Sequence, residues 1–309
     1  MNGKFSLKDF FLRFPDDIAC LEEIKNIRWP SGITCPVCKK VTKFYKVKGR
    51  TAYACEFGGT TVYPLADTIL EKTTTPLQYW FYAMYLMTKT RSGISAKQLQ
   101  RELGVTYKTA WRMFKQIRML MADNSTNINN PNGSNPLDGT VEVDETFVGG
   151  KGKNRKSQWV QGVESKEKQI LMGMVQREGK VYIKHIPNTG KWTLLQQIQD
   201  NISPKARIFT DEYRGYIQLS YRGYEHDSVN HSASEYVKGE VHTQNIENVW
   251  SHLKRGIFGV YRIVSAKYLQ AYADEYAFRY NHRKLDGEMF NILLKQIAEV
   301  KVITSPRTS

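Results

Sequence analysis

Long apolar runs are missing from this sequence of 309 residues. No uninterrupted apolar stretch reaches the ~18–20 residues that a helix needs to span a bilayer. The N-terminal residues also lack the apolar segment of a secretory signal peptide. These absences argue against the membrane and secreted classes, and they predict a cytoplasmic protein.

Cysteine is scarce, and acidic residues are outnumbered by basic ones. The four cysteines include one Cys-x-x-Cys pair, which favours a reducing compartment over a disulfide framework. Lysine and arginine total 45 residues against 30 acidic residues, which gives a formal net charge of +15. Such a charge predicts a polyanionic partner, and DNA is a better candidate than a membrane. The 41% hydrophobic content indicates a globular chain with two domains, or one large domain with appendages.

Three cysteines have part of the spacing of a zinc ribbon, in which two Cys-x-x-Cys knuckles supply four thiolates. The second knuckle is incomplete, because Gly58 stands where the fourth thiolate is expected. Cys20 lies on a predicted helix with nothing to bring it to the site, and water or the glutamate after Cys55 would be a weak substitute. Two interpretations stay open: Zn²⁺ bound by Cys35, Cys38 and Cys55, or a ribbon held by packing alone.

Positions 39 to 50 contain no acidic residue and carry several lysines beside Phe44 and Tyr45. A run of this kind is usually a solvated surface. Next to a ribbon in so basic a protein, we expect it to bind DNA phosphates, which adds affinity without sequence selectivity. The expected contacts are Lys39, Lys40, Lys43, Lys46 and Arg50.

Residues 95 to 121 have the pattern of a helix-turn-helix. Ser95 precedes a predicted helix, Gly104 interrupts it, and a second helix is expected from about Thr106. Helical hairpins of this spacing also occur without a DNA-binding role. The apolar positions of the second helix predict a buried stripe of Ala110, Phe114, Ile117 and Met121. Its opposite face carries the expected DNA contacts Tyr107, Lys108, Arg112 and Lys115.

An asparagine-rich stretch with almost no apolar side chain divides the chain near its middle. The predicted segments are an N-terminal helix with a degenerate ribbon (1–66), a helical DNA-binding region (67–123), a linker (124–139) and a catalytic domain with C-terminal helices (140–300). In the last segment, residue patterns predict strands at 140–148, 169–176, 180–186 and 206–211, and helices at 193–201 and near 245–256. The predicted class is α+β and multidomain, with a mixed sheet flanked by helices.

Three acidic residues of the last segment lie in settings that suit a shared metal site. Asp144 lies in the first predicted strand, Asp211 ends the fourth, and Glu247 lies beside the apolar face of the later helix. Carboxylates that meet repel one another unless a cation neutralises them, and oxygen ligands suit Mg²⁺ or Mn²⁺. Two such ions about 3.5–4 Å apart support phosphoryl transfer on a nucleic acid. The same spacing also fits solvated acids at strand ends.

Basic residues accompany these acids. Lys254 follows Glu247 by seven positions, about two helical turns, and is expected to contact a phosphate rather than a metal ion. Arg255 is a further expected DNA contact. Lys151 and Lys153 lie in a glycine-bearing insert after the first strand, which is either a loop that touches DNA or a solvated turn.

Four blocks of sequence contain these residues: 141–150, 210–216, 242–256 and 276–281. They resemble the DDE transposases of small bacterial insertion sequences, in the group that carries an N-terminal zinc ribbon and is related to Merlin transposons. The resemblance implies a ribonuclease H-like catalytic domain, in which the first and fourth strands are neighbours. It also implies that the three acids bind divalent metal and that Lys254 completes a DDE-plus-K signature.

The function implied by this resemblance is a bacterial, nucleoid-associated transposase. It would bind the terminal inverted repeats of its own element, cleave there, and join the freed 3′ ends to target DNA. Because two ends must be held at once, we expect a homodimer or a larger assembly. Two alternatives stay open: a DNA-binding regulator or domesticated derivative that does not cleave, and a metal-dependent nuclease or resolvase that does not join strands.

Overall fold

The computed structural model describes residues 5–122, 136–149, 168–229, 242–285 and 287–300. Helices are α1 (Leu7–Arg13), α2 (Asp17–Arg28), α3 (Leu77–Lys89), α4 (Ala96–Leu103), α5 (Tyr107–Met121), α6 (Lys191–Asn201), α7 (Gln218–Tyr221), α8 (Gln244–Gly256), α9 (Ala266–Asn281) and α10 (Met289–Glu299). Strands are β1 (Ile33–Thr34), β2 (Val41–Thr42), β3 (Phe44–Lys46), β4 (Tyr53–Cys55), β5 (Thr61–Val62), β6 (Thr140–Val148), β7 (Gln169–Gln176), β8 (Val181–Ile186), β9 (Arg207–Asp211) and β10 (Glu225–Val229). Among the described helices, none combines the length and apolarity that crossing a bilayer requires.

The chain divides into two compact units, Met1–Met121 with Leu285–Ser309, and Ala122–Lys284. In the first unit, β1 pairs with β2, and β3, β4 and β5 form a second antiparallel sheet. These small sheets are the ribbon-like hairpins that the sequence predicts. Helices α2 and α3 pack against each other, so the predicted segments 1–66 and 67–123 share one unit.

An aromatic cluster forms much of the core of the first unit. Phe10, Phe14, Phe81 and Phe290 are almost completely buried, and the rings of Phe14 and Phe81 lie 4.9 Å apart. Burial of each such ring stabilises the fold by roughly 1.5–3 kcal/mol. Phe290 belongs to α10, which packs against α2, α3 and α5. Helix α10, which lies within the predicted segment 140–300, therefore packs in the aromatic core of the first unit.

The helix-turn-helix forms as its residue pattern predicts. The Ser95 hydroxyl accepts a hydrogen bond from the Gln98 amide (3.1 Å) and caps α4. Gly104 ends this helix with a φ of +64°, in the left-handed region that favours glycine. The predicted apolar stripe of α5 is buried: Ala110, Phe114, Ile117 and Met121.

A five-stranded mixed sheet organises the second unit, with strand order β10-β9-β6-β7-β8. Strands β6, β7 and β8 are antiparallel neighbours, whereas β9 is parallel to β6 and β10 is parallel to β9. This order is that of a ribonuclease H-like sheet, which confirms the predicted fold class. Strand β10 is an edge strand that the residue pattern does not predict.

The two faces of the sheet carry different helices. Val141 and Val143 of β6 pack with α6 in one buried cluster. Leu171 and Val175 of β7 pack with α8 and α9 in another. Because side chains alternate along a strand, the even-numbered residues of β6 face α8. The acidic residues of the candidate functional site lie mainly on the face that α8 and α9 cover.

Candidate active site

Asp144 and Asp211 lie on adjacent parallel strands. The pairing of β6 with β9 matches Thr140 with Arg207 and Glu142 with Phe209. Continuing that register by two residues brings Asp144 opposite Asp211, and paired residues of parallel strands point to the same face. The amide of Tyr213 donates a hydrogen bond to Asp211 Oδ1 (3.1 Å), which orients this carboxylate at the strand end.

Helix α8 brings Glu247 to the same region. The indole Nε1 of Trp250, one turn after Glu247, donates a hydrogen bond to Asp144 Oδ2 (2.9 Å). Glu247 is exposed, and its Oε1 accepts a hydrogen bond from the Thr243 hydroxyl (3.2 Å). The contact between Trp250 and Asp144 therefore fixes α8, which carries Glu247, against β6, which carries Asp144.

The other two acids act electrostatically on Asp144. Burial raises the pKa of Asp144 from 3.8 to about 6, and the negative charges of Asp211 and Glu247 raise it further against the opposing effect of the Trp250 hydrogen bond. A divalent cation between the three carboxylates would reverse this repulsion. The donor set consists of hard oxygen atoms, so it fits Mg²⁺ or Mn²⁺.

The three acids lie farther apart than the ligand atoms of one compact metal site. Among the described residues, only a cysteine group has three ligand atoms within 4.8 Å of one another, so the three acids are spread more widely. Ligands on opposite sides of two ions can be about 8 Å apart, since the ions are separated by about 3.5–4 Å and each metal–oxygen bond is about 2.1 Å. The spread is thus compatible with a shared two-ion site.

Gly173 makes room for the Trp250 ring. It lies on β7 directly opposite Asp144. A Cβ atom at position 173 would lie 2.5 Å from Ile246 Cδ1 and 2.6 Å from Trp250 Cζ2, well inside van der Waals contact. Only glycine therefore lets α8 approach the sheet closely enough for its indole to reach Asp144.

We expect Gly173→Ala to destabilise the protein by about 1–3 kcal/mol, because the added methyl group overpacks a rigid interface. The displaced indole would also release Asp144, so DNA cleavage should fall with stability. Urea unfolding and a cleavage assay measure the two effects. Gly259→Ala is the matched control, since a Cβ atom there meets nothing within 4 Å. Unchanged stability and cleavage in Gly173→Ala would refute this role.

Glu142 is a functional candidate that the residue pattern does not indicate. Its side chain is fully buried, and Oε2 accepts hydrogen bonds from the backbone amides of Asn245 (2.8 Å) and Ile246 (3.2 Å) in the first turn of α8. Oε1 accepts from Asn245 Nδ2 (2.7 Å) and from Arg177 Nε (2.9 Å). Arg177 also donates to the carbonyl oxygen of His242 (3.2 Å). Glu142 therefore anchors the N-terminus of the helix that carries Glu247.

Glu145 lies on the opposite face of β6 from Asp144. The hydroxyl of the buried Tyr216 donates a hydrogen bond to Glu145 Oε1. Burial raises the pKa of Glu145 to about 7, and the charges of Asp144 and Asp211 add to this effect. Tyr216 lies five residues after Asp211, so this contact holds the segment after β9 against β6.

The predicted DNA contacts differ in their exposure and in the hydrogen bonds that they make. Lys39, Lys40, Lys43, Arg50, Tyr107, Lys108 and Lys115 are exposed. Lys46 instead donates to the carbonyl oxygens of Val47 and Arg50. Arg112, although exposed, donates to the Thr75 hydroxyl (3.2 Å).

On α8, Lys254 is partly exposed seven residues after Glu247. Arg255 is exposed and donates to the Ser251 carbonyl oxygen of its own helix (3.2 Å). Lys151 and Lys153 lie outside the described residues.

The cysteine group lies where the two hairpin sheets of the first unit meet. The sulfur atoms of Cys35, Cys38 and Cys55 lie within 4.8 Å of one another. A hydrogen bond from the Cys38 amide lowers the pKa of Cys35 to about 6, whereas the hydrogen bond with Cys35 raises the pKa of Cys38 to about 11. Cys20 is buried on α2 and does not belong to the group. The three thiols form a donor set that suits Zn²⁺.

Comparison with known protein families agrees with this architecture. Residues 136–281 match the model of the ISXO2-like transposase domain, a range that includes Asp144, Asp211, Glu247 and Lys254. Residues 15–57 match the transposase zinc-ribbon domain. These matches, together with the ribonuclease H-like sheet, define the class of protein: an enzyme that cleaves DNA. The chain belongs to the DDE-type insertion-sequence transposases that carry an N-terminal zinc ribbon, and it is a DNA transposase.

Two relatives extend the comparison. An uncharacterised protein in transposable element ISH50 of Halobacterium salinarum is 26% identical over 267 residues, which cover 81% of this chain and 87% of the relative. An uncharacterised transposase-like protein of Haemophilus influenzae is 26% identical over 124 residues, which cover 40% of this chain and 98% of the relative.

Among solved structures, the pre-cleavage Mos1 transpososome aligns at 10% identity with a TM-score of 0.28, over 73% of this chain and 80% of that chain. The Mos1 mariner paired end complex with Mn aligns at 11% identity with a TM-score of 0.28, over 70% of this chain and 78% of that chain. These TM-scores are too low to indicate a common overall fold.

Proposed function

We propose that this transposase binds the terminal inverted repeats of its own insertion sequence, cleaves the DNA there and joins the freed 3′ ends to target DNA. The observation that carries the proposal is the convergence of Asp144, Asp211 and Glu247 from β6, β9 and α8, with Asp144 bonded to the helix that carries Glu247. A cluster of this kind is unfavourable by itself, and a divalent cation makes it favourable.

The three carboxylates hold the metal in this proposal. Two Mg²⁺ or Mn²⁺ ions would supply activation of the attacking oxygen and stabilisation of the leaving oxygen of a phosphodiester. Asp144 and Asp211 lie on the rigid sheet and fix one side of the site, while Glu247 reaches it from α8. Lys254 would bind a phosphate beside the site, because a protonated lysine donates hydrogen bonds and does not ligate metal.

The first unit supplies DNA recognition. The exposed face of α5 would enter a groove with Tyr107, Lys108 and Lys115, while the exposed lysines of residues 39 to 50 bind phosphates. We also propose that Cys35, Cys38 and Cys55 bind Zn²⁺, which fixes the ribbon. The active assembly contains at least two copies of the chain, since two element ends are joined in one reaction, and it acts at the bacterial nucleoid.

A cleavage and joining assay tests this function. Purified protein is incubated with labelled element-end DNA, a target plasmid and Mg²⁺, and both nicked and joined products are measured. We expect both products, and we expect neither with EDTA or with the Asp211→Asn variant. Cleavage is expected to be lost with Asp211→Asn while binding of end DNA is retained, because Asp211 is a metal ligand and not a DNA anchor.

Each alternative function gives a different result in the same assay. Nicking without joining would identify a nuclease or resolvase, and binding without either product would identify a regulator. Cleavage that persists in Asp211→Asn would show that the proposed metal site does not catalyse the reaction.

A further inference from the structure

The two knuckles of the ribbon share one backbone geometry. In the first, the Cys35 amide donates to the Lys40 carbonyl oxygen (2.9 Å), and in the second the Cys55 amide donates to the Thr60 carbonyl oxygen (2.9 Å). The residue before each acceptor has a positive φ, +56° at Lys39 and +62° at Gly59. The second knuckle thus retains the closing hydrogen bond and the positive φ of the first.

This equivalence pairs Gly58 with Cys38, which fills the same position of the first knuckle. A Cβ atom at position 58 would lie 3.3 Å from Cys38 Sγ, so a side chain there would begin beside the sulfur atoms. Gly58 is exposed, so position 58 lies at the surface beside the sulfur atoms and supplies no donor of its own.

The sulfur atoms that are present already have the spacing of a zinc site. Cys38 Sγ and Cys55 Sγ are 3.9 Å apart. Two corners of a tetrahedron are about 3.8 Å apart when each Zn–S bond is about 2.3 Å. The three sulfur atoms, all within 4.8 Å of one another, can therefore occupy three corners of the tetrahedron, and position 58 lies beside them.

Other donors of the described chain do not close the fourth corner. Cys20 and Glu56 do not belong to the group of ligand atoms within 4.8 Å of one another. The Thr42 hydroxyl is 3.2 Å from Cys55 Sγ. A hydroxyl at this distance donates to a thiolate, which stabilises the sulfur charge without ligating the metal.

We propose that zinc in this ribbon has three thiolate ligands and an open fourth position at Gly58, which holds an exchangeable water and accepts a small external donor such as a thiol. This inference rests on the zinc occupancy proposed above. A closed site would be purely structural, whereas an open position permits ligand exchange. It also carries one negative charge less than a four-thiolate site, which suits a surface that meets DNA.

Cobalt substitution of the full-length protein tests the open position, because Co²⁺ in a thiolate site absorbs visible and near-ultraviolet light. The bound Co²⁺ per chain is counted, and 2-mercaptoethanol is then titrated. In the wild type we expect one Co²⁺ per chain and a thiolate-to-cobalt absorption that rises by about one third, as three thiolates become four. Gly58→Cys should begin at the higher absorption and not respond.

Two variants serve as controls. Gly58→Ala adds a side chain but no donor, so it should respond to the thiol as the wild type does. Cys20→Ser should also behave as the wild type, because Cys20 is not a ligand. We further expect Gly58→Cys to retain Zn²⁺ at least about tenfold more strongly than the wild type in a chelator competition.

Two results would overturn the inference in different ways. A wild type that binds one Co²⁺ but does not respond to the thiol would mean that a donor of the chain closes the site, while zinc occupancy stands. A wild type that binds no Co²⁺ would show that the ribbon does not bind zinc. Binding of Co²⁺ by Gly58→Cys would then identify the missing fourth thiolate as the cause. Neither result bears on the cleavage assay with Asp211→Asn.

Discussion

An Asp144→Asn variant is expected to lose DNA cleavage by roughly 10³-fold or more, while its metal-free form unfolds at higher urea concentration than the wild type at pH 7. Asparagine keeps an oxygen that accepts the Trp250 hydrogen bond, so the approach of α8 to the sheet is preserved. It removes a carboxylate charge that is unfavourable without metal because it is buried beside Asp211 and Glu247. Function and metal-free stability should therefore change in opposite directions.

The pH dependence of the stability difference between Asp144→Asn and the wild type follows from the pKa of Asp144. The pKa of Asp144 is raised from 3.8 to about 6 by folding, so the folded state binds the proton more strongly than the unfolded state. The penalty is fully present above about pH 6 and disappears as the pH falls toward 3.8. The stability advantage of the variant should be on the order of 3 kcal/mol at pH 7 and should largely vanish near pH 4.

Urea unfolding in EDTA at several pH values measures this advantage, and the cleavage assay measures activity. Asp138→Asn is the matched control, because Asp138 is an exposed acid six residues earlier in the chain. It should change neither quantity. An Asp144→Asn variant that still cleaves, or that is less stable than the wild type at pH 7, would contradict the proposed site.

Glu142→Ala is expected to destabilise the protein by about 3–5 kcal/mol, because it leaves the partly buried guanidinium of Arg177 and the first amides of α8 without their shared acceptor. The loss of stability should be accompanied by a loss of metal binding. When the N-terminus of α8 is released, Glu247 is no longer held at the site, and Mn²⁺ affinity should fall even in conditions where the variant stays folded. Urea unfolding and Mn²⁺ titration measure the two effects.

Two comparisons separate this anchoring role from the general cost of losing an acid. Glu142→Gln keeps one acceptor oxygen for the α8 amides, so its stability and Mn²⁺ affinity should fall between those of the wild type and the alanine variant. Glu225→Ala breaks an exposed ion pair with Arg207 and should cost less than about 1 kcal/mol. Equal effects of Glu142→Ala and Glu225→Ala would exclude an anchoring role for Glu142.

The sequence predicts most of the elements of the second unit, because their patterns are strong. The strands at 140–148 and 169–176 and the helix near 245–256 form within one or two residues of the predicted bounds. Strand β10 is missed because an edge strand has only one neighbour, and its sequence Glu-His-Asp-Ser-Val buries only Val229. The apolar face of α10 predicts a helix but not its partner, which lies in the distant aromatic cluster.

The candidate site is predictable only in part. The strand order predicts that Asp144 and Asp211 lie side by side, since both face one side of adjacent parallel strands. The role of Glu142 is not predictable from its position, because its partners at the start of α8 lie 103 and 104 residues away. The indole of Trp250 looks like part of an apolar stripe, although a buried N–H group requires an acceptor.

Anomalous diffraction from crystals of the protein grown with Mn²⁺ tests the central claim most directly. We predict density for Mn²⁺ at about 2.1 Å from carboxylate oxygens of both Asp144 and Asp211, with Glu247 as a ligand of the same or a neighbouring ion. Manganese bound elsewhere, or bound with any one of these three carboxylates out of reach, would contradict the account.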